Sequence, residues 1–279
     1  MRSTNATRGR RFQTSALAAL GAVVVAVASS TPASALAVSS DATADSVQSS
    51  LNRVESLDST LLLEPGDADS ASLIGVSTRL GNGTVQVPSD PAEGIQIIGE
   101  NGTTASISLP FDEKADKAIA LDNGAIAFPG KDSSSAIIVS EAGVQMLTTI
   151  ENRNAPTRYD YEVRLEAGQK LSFLNDDVVI LNSDGSVELS VAPAWSLDAN
   201  GSAIPTTYEI DDSTLTQVVN HVDANTAYPV VADPIWIAPW VFKCLLGLGL
   251  SGPQITAAFA SRAIWGGLGR AALACVTGK

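Results

Sequence analysis

Between residue 72 and about residue 231 the chain is cut at short intervals by Asn82-Gly83, Asn101-Gly102, Asn123-Gly124, Asp184-Gly185 and Asn200-Gly201. Such pairs supply the positive φ angles of tight hairpins. The runs between them are short, apolar and β-branched: 84–87, 95–98, 105–109, 125–128, 136–139, 144–150, 159–165, 178–181 and 187–191, with 207–210 and 215–219 as two further candidates. Tyr159, Tyr161, Val163 and Leu165 alternate with Asp160, Glu162 and Arg164, which is the pattern of a strand with one face in water. A segment punctuated this often has no room for long helices. The expectation is an all-β, antiparallel, sandwich-like body over 72–233. No repeat of fixed period argues for a solenoid.

The regions on either side read differently. Residues 38–71 form an N-terminal helix and linker. Ala44, Val47, Leu51, Val54, Leu57 and Leu61 recur at helical spacing, Asp41 or Asp45 is a candidate cap, and Pro65-Gly66 ends the pattern, so an amphipathic helix is expected over 41–63. It either lies on the body or pairs as a short coiled coil. Residues 234–279 hold Trp236, Trp240 and Trp265 of the four Trp, both Cys, and many Gly and Ala. Pro239 and Pro253 stand where helices can begin, Ser251 is a candidate cap, and Gly247, Gly249, Gly266, Gly267 and Gly269 read as breaks. A small α-helical tail of two or three short helices follows. It does not read as membrane-spanning, because 235–250 contains Pro239 and Lys243 and 257–274 is interrupted by two Arg and three Gly.

Charge separates the same regions. The chain carries a formal net charge of −13, which speaks against nucleic acid as the main partner. Residues 38–233 hold nine Lys or Arg against thirty Asp or Glu, whereas 234–279 hold Lys243, Arg262, Arg270 and Lys279 and no acid. Cations beside Trp suit an anionic lipid interface or an acidic partner. The candidate contact set is therefore Trp236, Trp240, Lys243, Arg262, Trp265 and Arg270. The plainer alternative is an acidic body shaped for solubility alone.

Residues 1–37 have the layout of a secretory signal peptide. Arg2, Arg8, Arg10 and Arg11 precede an apolar run over 16–28, and Ala33-Ser34-Ala35 and Ala35-Leu36-Ala37 are cleavage candidates. The mature chain is expected to start near Leu36 or Val38; an uncleaved anchor is the alternative. A secreted chain enters an oxidising space, so Cys244 and Cys275 are expected to form a disulfide, with two buried free thiols or a redox pair as alternatives.

The junction reads Ala227-Tyr228-Pro229-Val230-Val231-Ala232-Asp233-Pro234, preceded by the stretches 193–201, 204–210 and 215–219. In this order it resembles a set of uncharacterised secreted proteins of actinobacterial type, in which a β-rich region ends in a YPVVADP segment and a variable, cysteine-bearing helical tail follows. The segment is also similar to a boundary in large secreted repeat proteins of the toxin-delivery kind. The match covers about residues 145–275. It implies an architecture and an extracellular setting and brings no catalytic residues with it. Read on its own, the junction is a final strand running into a stiff linker, since Pro229 and Pro234 restrict the residues before them. The alternative is a processing site.

The motifs of common chemistries are missing. His221 is the single histidine, and there is no GxSxG elbow, no Walker loop and no GxGxxG on a strand-to-helix turn. Asp176-Asp177, Asp211-Asp212 and Asp67-Ala68-Asp69 are acid pairs, but adjacent strand residues face opposite ways. Calcium on loop carboxylates stays open. No catalytic residue, metal ligand or cofactor is assigned. The first reading is a non-enzymatic secreted or cell-envelope protein, a β-rich interaction or scaffold module with a disulfide-closed helical tail. The alternative is a membrane-active, bacteriocin-like effector in the tail, kept soluble by the acidic body. A third, enzymatic reading would rest on His221 plus an acid.

Overall fold

The computed structural model describes residues 40–99, 102, 104–261 and 274–275. The expected signal segment and its cleavage sites lie outside them, as do Arg262, Trp265, Arg270 and the glycines at 266, 267 and 269.

The described residues begin with helix α1 (Ser40–Leu57) and a single turn, α2 (Ser70–Leu73). Four short strands follow: β1 (Ser77–Leu80), β2 (Gly83–Gln86), β3 (Ile95–Ile98) and β4 (Thr104–Ile107). Next come β5 (Ile119–Ala120), β6 (Ile126–Phe128), β7 (Ser133–Ser140), β8 (Gly143–Ile150) and β9 (Arg158–Arg164). A hairpin set, β10 (Lys170–Leu174), β11 (Asp177–Leu181) and β12 (Val187–Val191), leads to β13 (Ser196–Leu197), β14 (Thr206–Asp211) and β15 (Thr214–Val219). The last elements are β16 (Val230–Ala232), β17 (Ile235–Ile237) and helices α3 (Pro239–Gly247) and α4 (Gly252–Ser261).

All strand pairs within these elements are antiparallel, and they make two sheets. One has seven strands in the order β1-β2-β3-β4-β9-β15-β14; the other has ten, along the path β10-β11-β12-β17-β8-β7-β6-β5, with β16 also on β8 and β13 on β16. The expected all-β sandwich is the fold, and the hairpin logic behind it is visible in the turns. Gly124, Gly185 and Gly201 take the positive φ their positions require. The acid doublets turn out to be hairpin turns too. Asn175 and Asp176 connect β10 to β11, and Asp212 with Ser213 connects β14 to β15. Asn175, Asp176 and Asp212 all have left-handed φ, the conformation that Asn and Asp tolerate best after glycine. Asp69 caps α2 through its carboxylate, which accepts from the Ala71 amide at 3.2 Å.

Strand parity assigns each residue to a layer. In β9, Tyr159, Tyr161 and Val163 are buried between the sheets and the alternate charged residues are exposed. The β7 and β8 strands are buried on both faces. Ile137, Val139, Val144 and Met146 enter the core between the sheets, while Ala136, Ile138 and Leu147 enter a second core beneath the helices. That second core takes Ala44, Val47, Leu51 and Val54 from α1, Val241, Phe242 and Leu245 from α3, and Ile255 and Phe259 from α4. The molecule is thus layered as small sheet, large sheet, helices. Burial on both faces explains why neither β7 nor β8 carries a charged residue.

Two expectations need correcting. The N-terminal helix ends at Leu57, not near Leu63. The Asp58 carboxylate accepts from the Thr60 amide and hydroxyl, closing a turn that leaves the helix path. Leu61 and Leu63 are still buried, but in an extended segment tied to Gln145: the Gln145 amide donates to the Leu61 carbonyl at 2.9 Å and accepts from the Leu63 amide at 2.8 Å. Asp41 and Asp45 are the second and sixth residues of the helix, so neither stands at the cap position before it.

The second correction concerns the boundary at 233/234. The junction is not a strand running out into a linker. Val230–Ala232 pairs with Ile150–Thr148, and Ile235–Ile237 pairs with Gln145–Gly143, in one unbroken register along β8. The Met146 amide donates to the Pro234 carbonyl at 2.9 Å, so the ladder continues through the gap. Only the reciprocal bond is lost, because proline has no N–H. On its other edge this line is flanked by β12 and β13. Residues 230–237 therefore form a central line of the large sheet, and the first residues of the expected tail belong to the body.

Asp233 sits in the middle of this line, fully buried. Its carboxylate accepts from the Trp195 amide at 3.3 Å and from the Gln145 side chain at 3.4 Å. Desolvation by burial pushes its pKa well above the ordinary 3.8, against the smaller opposing effect of these two donors. A carboxyl whose folded pKa is raised contributes most to stability below the ordinary value, and loses that contribution as pH rises through the folded value. Asp233→Asn removes the titration. The stability of the natural chain relative to Asp233→Asn is expected to increase as pH falls from about 8 to about 5, read as the difference in midpoint between the two urea unfolding curves. A difference that stays constant across that range would show that Asp233 is ionised in the folded protein.

Candidate functional site around the docked helices

The C-terminal helices form because their first residues are fitted for it. Pro239 is the first residue of α3, where its fixed φ suits a helix and its missing N–H costs nothing. At α4 the Ser251 amide and hydroxyl both donate to the Gln254 side chain, at 2.8 and 3.0 Å, so that the Gln254 carbonyl oxygen reaches back to satisfy the donors at the helix start. Between them Gly249, with φ 88°, lets the chain reverse.

Trp240, on the first turn of α3, is the residue that ties the helix layer to the small sheet. Its indole lies over the β1–β2 turn, Gly81-Asn82-Gly83. A methyl group built on Gly83 would be driven into the six-membered ring of Trp240 and the carbonyl of Ile98; one on Gly81 would stand 2.9 Å from the indole nitrogen. The glycines are there because only a bare backbone leaves room for the ring. The Asn82-Gly83 pair, read from sequence as a hairpin signal, thus also serves as a seat for an aromatic side chain more than a hundred and fifty residues away.

Two polar links and a disulfide secure the same layer. The Lys243 ammonium meets the Glu188 carboxylate on β12 at 3.2 Å, where Glu188 also accepts from Asn182. Thr256 on α4 donates to Asp177 on β11 at 2.7 Å. Cys244 on α3 is bonded to Cys275, with Cα atoms 5.6 Å apart, so the expected disulfide is present. Closing a loop of 31 residues contributes roughly 3–4 kcal/mol in the chain-entropy account. The Lys243 pair is half-exposed and contributes little by itself. It is nevertheless the one place among the described residues where a tail cation meets a body acid.

The candidate contact residues are thereby sorted. Trp236 is fully buried between the two sheets, on the face opposite Ile235 and Ile237, and cannot touch a membrane or partner in this conformation. Trp240 is half-buried and Lys243 exposed. Arg262, Trp265 and Arg270 lie outside the described residues. Two clefts flank the Trp240 ring. One, of about 310 Å³, runs past Asn82, Glu188 and Lys243; the other, of about 330 Å³, runs past Gly81, Glu141 and the disulfide. An indole, an amide and a paired ammonium and carboxylate are groups suited to recognition.

His221, the basis of the enzymatic reading, is fully buried. One ring nitrogen meets the Tyr228 hydroxyl at 2.9 Å and the other donates to the Pro156 carbonyl at 3.0 Å. Neither nitrogen faces a carboxylate or a serine hydroxyl, so the histidine fixes the loop after β15. Among the described residues no group of three or more His, Cys, Asp or Glu is placed to hold a metal ion. Among them, too, no helix is long and apolar enough to cross a membrane.

The seating of Trp240 has a direct test. Gly83→Ala is expected to cost about 1–3 kcal/mol through overpacking. Trp240→Ala combined with it should recover part of that loss, giving a favourable coupling in a double-mutant cycle measured by urea unfolding. Strictly additive effects would mean that the ring does not rest on this turn.

No protein-family model and no curated protein matches the chain, so its functional reading rests on the geometry above.

Proposed function

We propose that the protein works outside the cytoplasm as a non-catalytic interaction or scaffold module of the secreted or cell-envelope type, like the YPVVADP proteins its junction resembles. The observation that carries this reading is the continuous line 230–237. Because the sheet runs through Asp233-Pro234 into α3, body and tail form one folded piece, which suits a scaffold better than a releasable effector. A disulfide fits a chain that matures in an oxidising compartment. The partner is a protein or envelope component; thirty acids against nine bases over 38–233 disfavour nucleic acid and other polyanions.

The membrane-active alternative loses support from the same packing. Trp236 and Phe242, two of the large apolar groups it would insert, are buried in the two cores, and Lys243 is engaged by Glu188. Insertion would require unfolding the centre of the large sheet.

Two measurements test the reading together. Mass spectrometry of the culture supernatant is expected to show a mature chain starting near residue 36 or 38, intact through residue 279, with Cys244 and Cys275 bridged. The same oxidised chain should release no dye from anionic phosphatidylglycerol vesicles at micromolar concentration. A product cut near Asp233-Pro234, or prompt leakage, would replace the scaffold reading with the effector.

A further inference from the structure

Away from the docked helices, a cavity of about 280 Å³ opens between the 110–115 turn and the loop entering β7. Phe111 and Pro156 supply its exposed apolar wall, Ser133 its polar wall, and Lys114 and Lys131 are both among its lining residues. Phe111 is 40% exposed and holds a left-handed backbone, φ 56°, which a bulky side chain rarely adopts. In that conformation its ring stands edge-on against Tyr159, with centroids 5.9 Å apart.

Charge distinguishes this cavity from an ordinary surface dent. Neither Lys114 nor Lys131 makes an ion pair among the described residues. Two of the nine cations of an otherwise acidic body thus share one small cavity. One acid, Asp132, also lines it, with its carboxylate accepting from the Asn152 side chain at 3.2 Å, so cations outnumber acids in the lining.

We propose that this cavity binds a small organic anion with a flat apolar body, a ring carboxylate. The Phe111 ring and Pro156 take the body. The two ammonium groups take the carboxylate through charge-assisted hydrogen bonds. The volume lies at the lower end of small-molecule sites, which favours a single or fused ring over a peptide.

Indole-3-acetate is a suitable probe, with indole-3-ethanol as its neutral counterpart. Titrations of the oxidised chain from residue 38, followed by saturation-transfer NMR, are expected to show indole-3-acetate binding in the micromolar to millimolar range and the neutral probe binding more weakly. Lys114→Gln with Lys131→Gln should weaken indole-3-acetate by about tenfold or more and leave the neutral probe unchanged. Both lysines are exposed, and an unaltered unfolding midpoint will confirm that the double variant is folded. Phe111→Ala should weaken both probes. The proposal is overturned if indole-3-acetate does not bind at millimolar concentration, if the two probes bind equally, or if the double variant binds the acid as the natural chain does.

Discussion

The ladder that residues 230–237 make with β8 is the constraint on which the rest of the structure depends. It carries Val230, Ala232 and Trp236 into the core between the sheets, and Val231, Ile235 and Ile237 into the core beneath the helices. Both cores therefore share one stretch of backbone. Asp233 falls on the helix side of this line, and its carboxyl meets the side chain of Gln145, which in turn holds Leu61 and Leu63. One buried amide thus connects the segment after α1 to the centre of the large sheet. A buried polar pair of this kind contributes less to net stability than to fixing a single arrangement, since each group is costly to leave unmet.

From that line the tail follows without a break. Ala238 donates to Ala142 at 3.0 Å, Pro239 starts α3, and Trp240 reaches the glycine turn of the other sheet. The charge contrast between body and tail is resolved locally at Lys243 and Glu188, not by broad attraction between two bodies. Long-range attraction would be screened within about 8 Å at physiological salt, whereas packing of Val241, Phe242 and Leu245 is indifferent to salt. The disulfide secures what the apolar face already positions.

Much of the body was legible because its strands alternate or run apolar between turn pairs. Tyr159, Tyr161 and Val163 announce their face directly, and β7 and β8 announce burial by the absence of any charged residue. Strand β10 was not legible, because Lys170 and Ser172 dilute it and Phe173 and Leu174 remain exposed. The central line was hidden by Asp233-Pro234, a pair that normally marks a strand's end. The signal was present in the composition: apart from Asp233 every residue from Val230 to Ile237 is apolar, as a strand buried on both faces requires. The cysteine pairing could be read from the expected compartment and the count of two. The Phe111 cavity could not, since it is assembled from a turn and a loop whose side chains meet only in the folded chain, and a left-handed phenylalanine has no mark in sequence. His221 stands out in the sequence only as the one histidine; its surroundings show a residue that closes a loop.

The central claim is that body and tail unfold as one piece through the 230–237 line. Native-state amide hydrogen exchange tests it most directly, because exchange free energies separate local from global opening. The account predicts that amides of 235–237 and of α3 exchange with the same free energy as those of β8, both in the oxidised chain and after reduction of the Cys244–Cys275 bond. Exchange of residues 235–247 at a much lower free energy than β8 would show that the tail opens independently, and would contradict it.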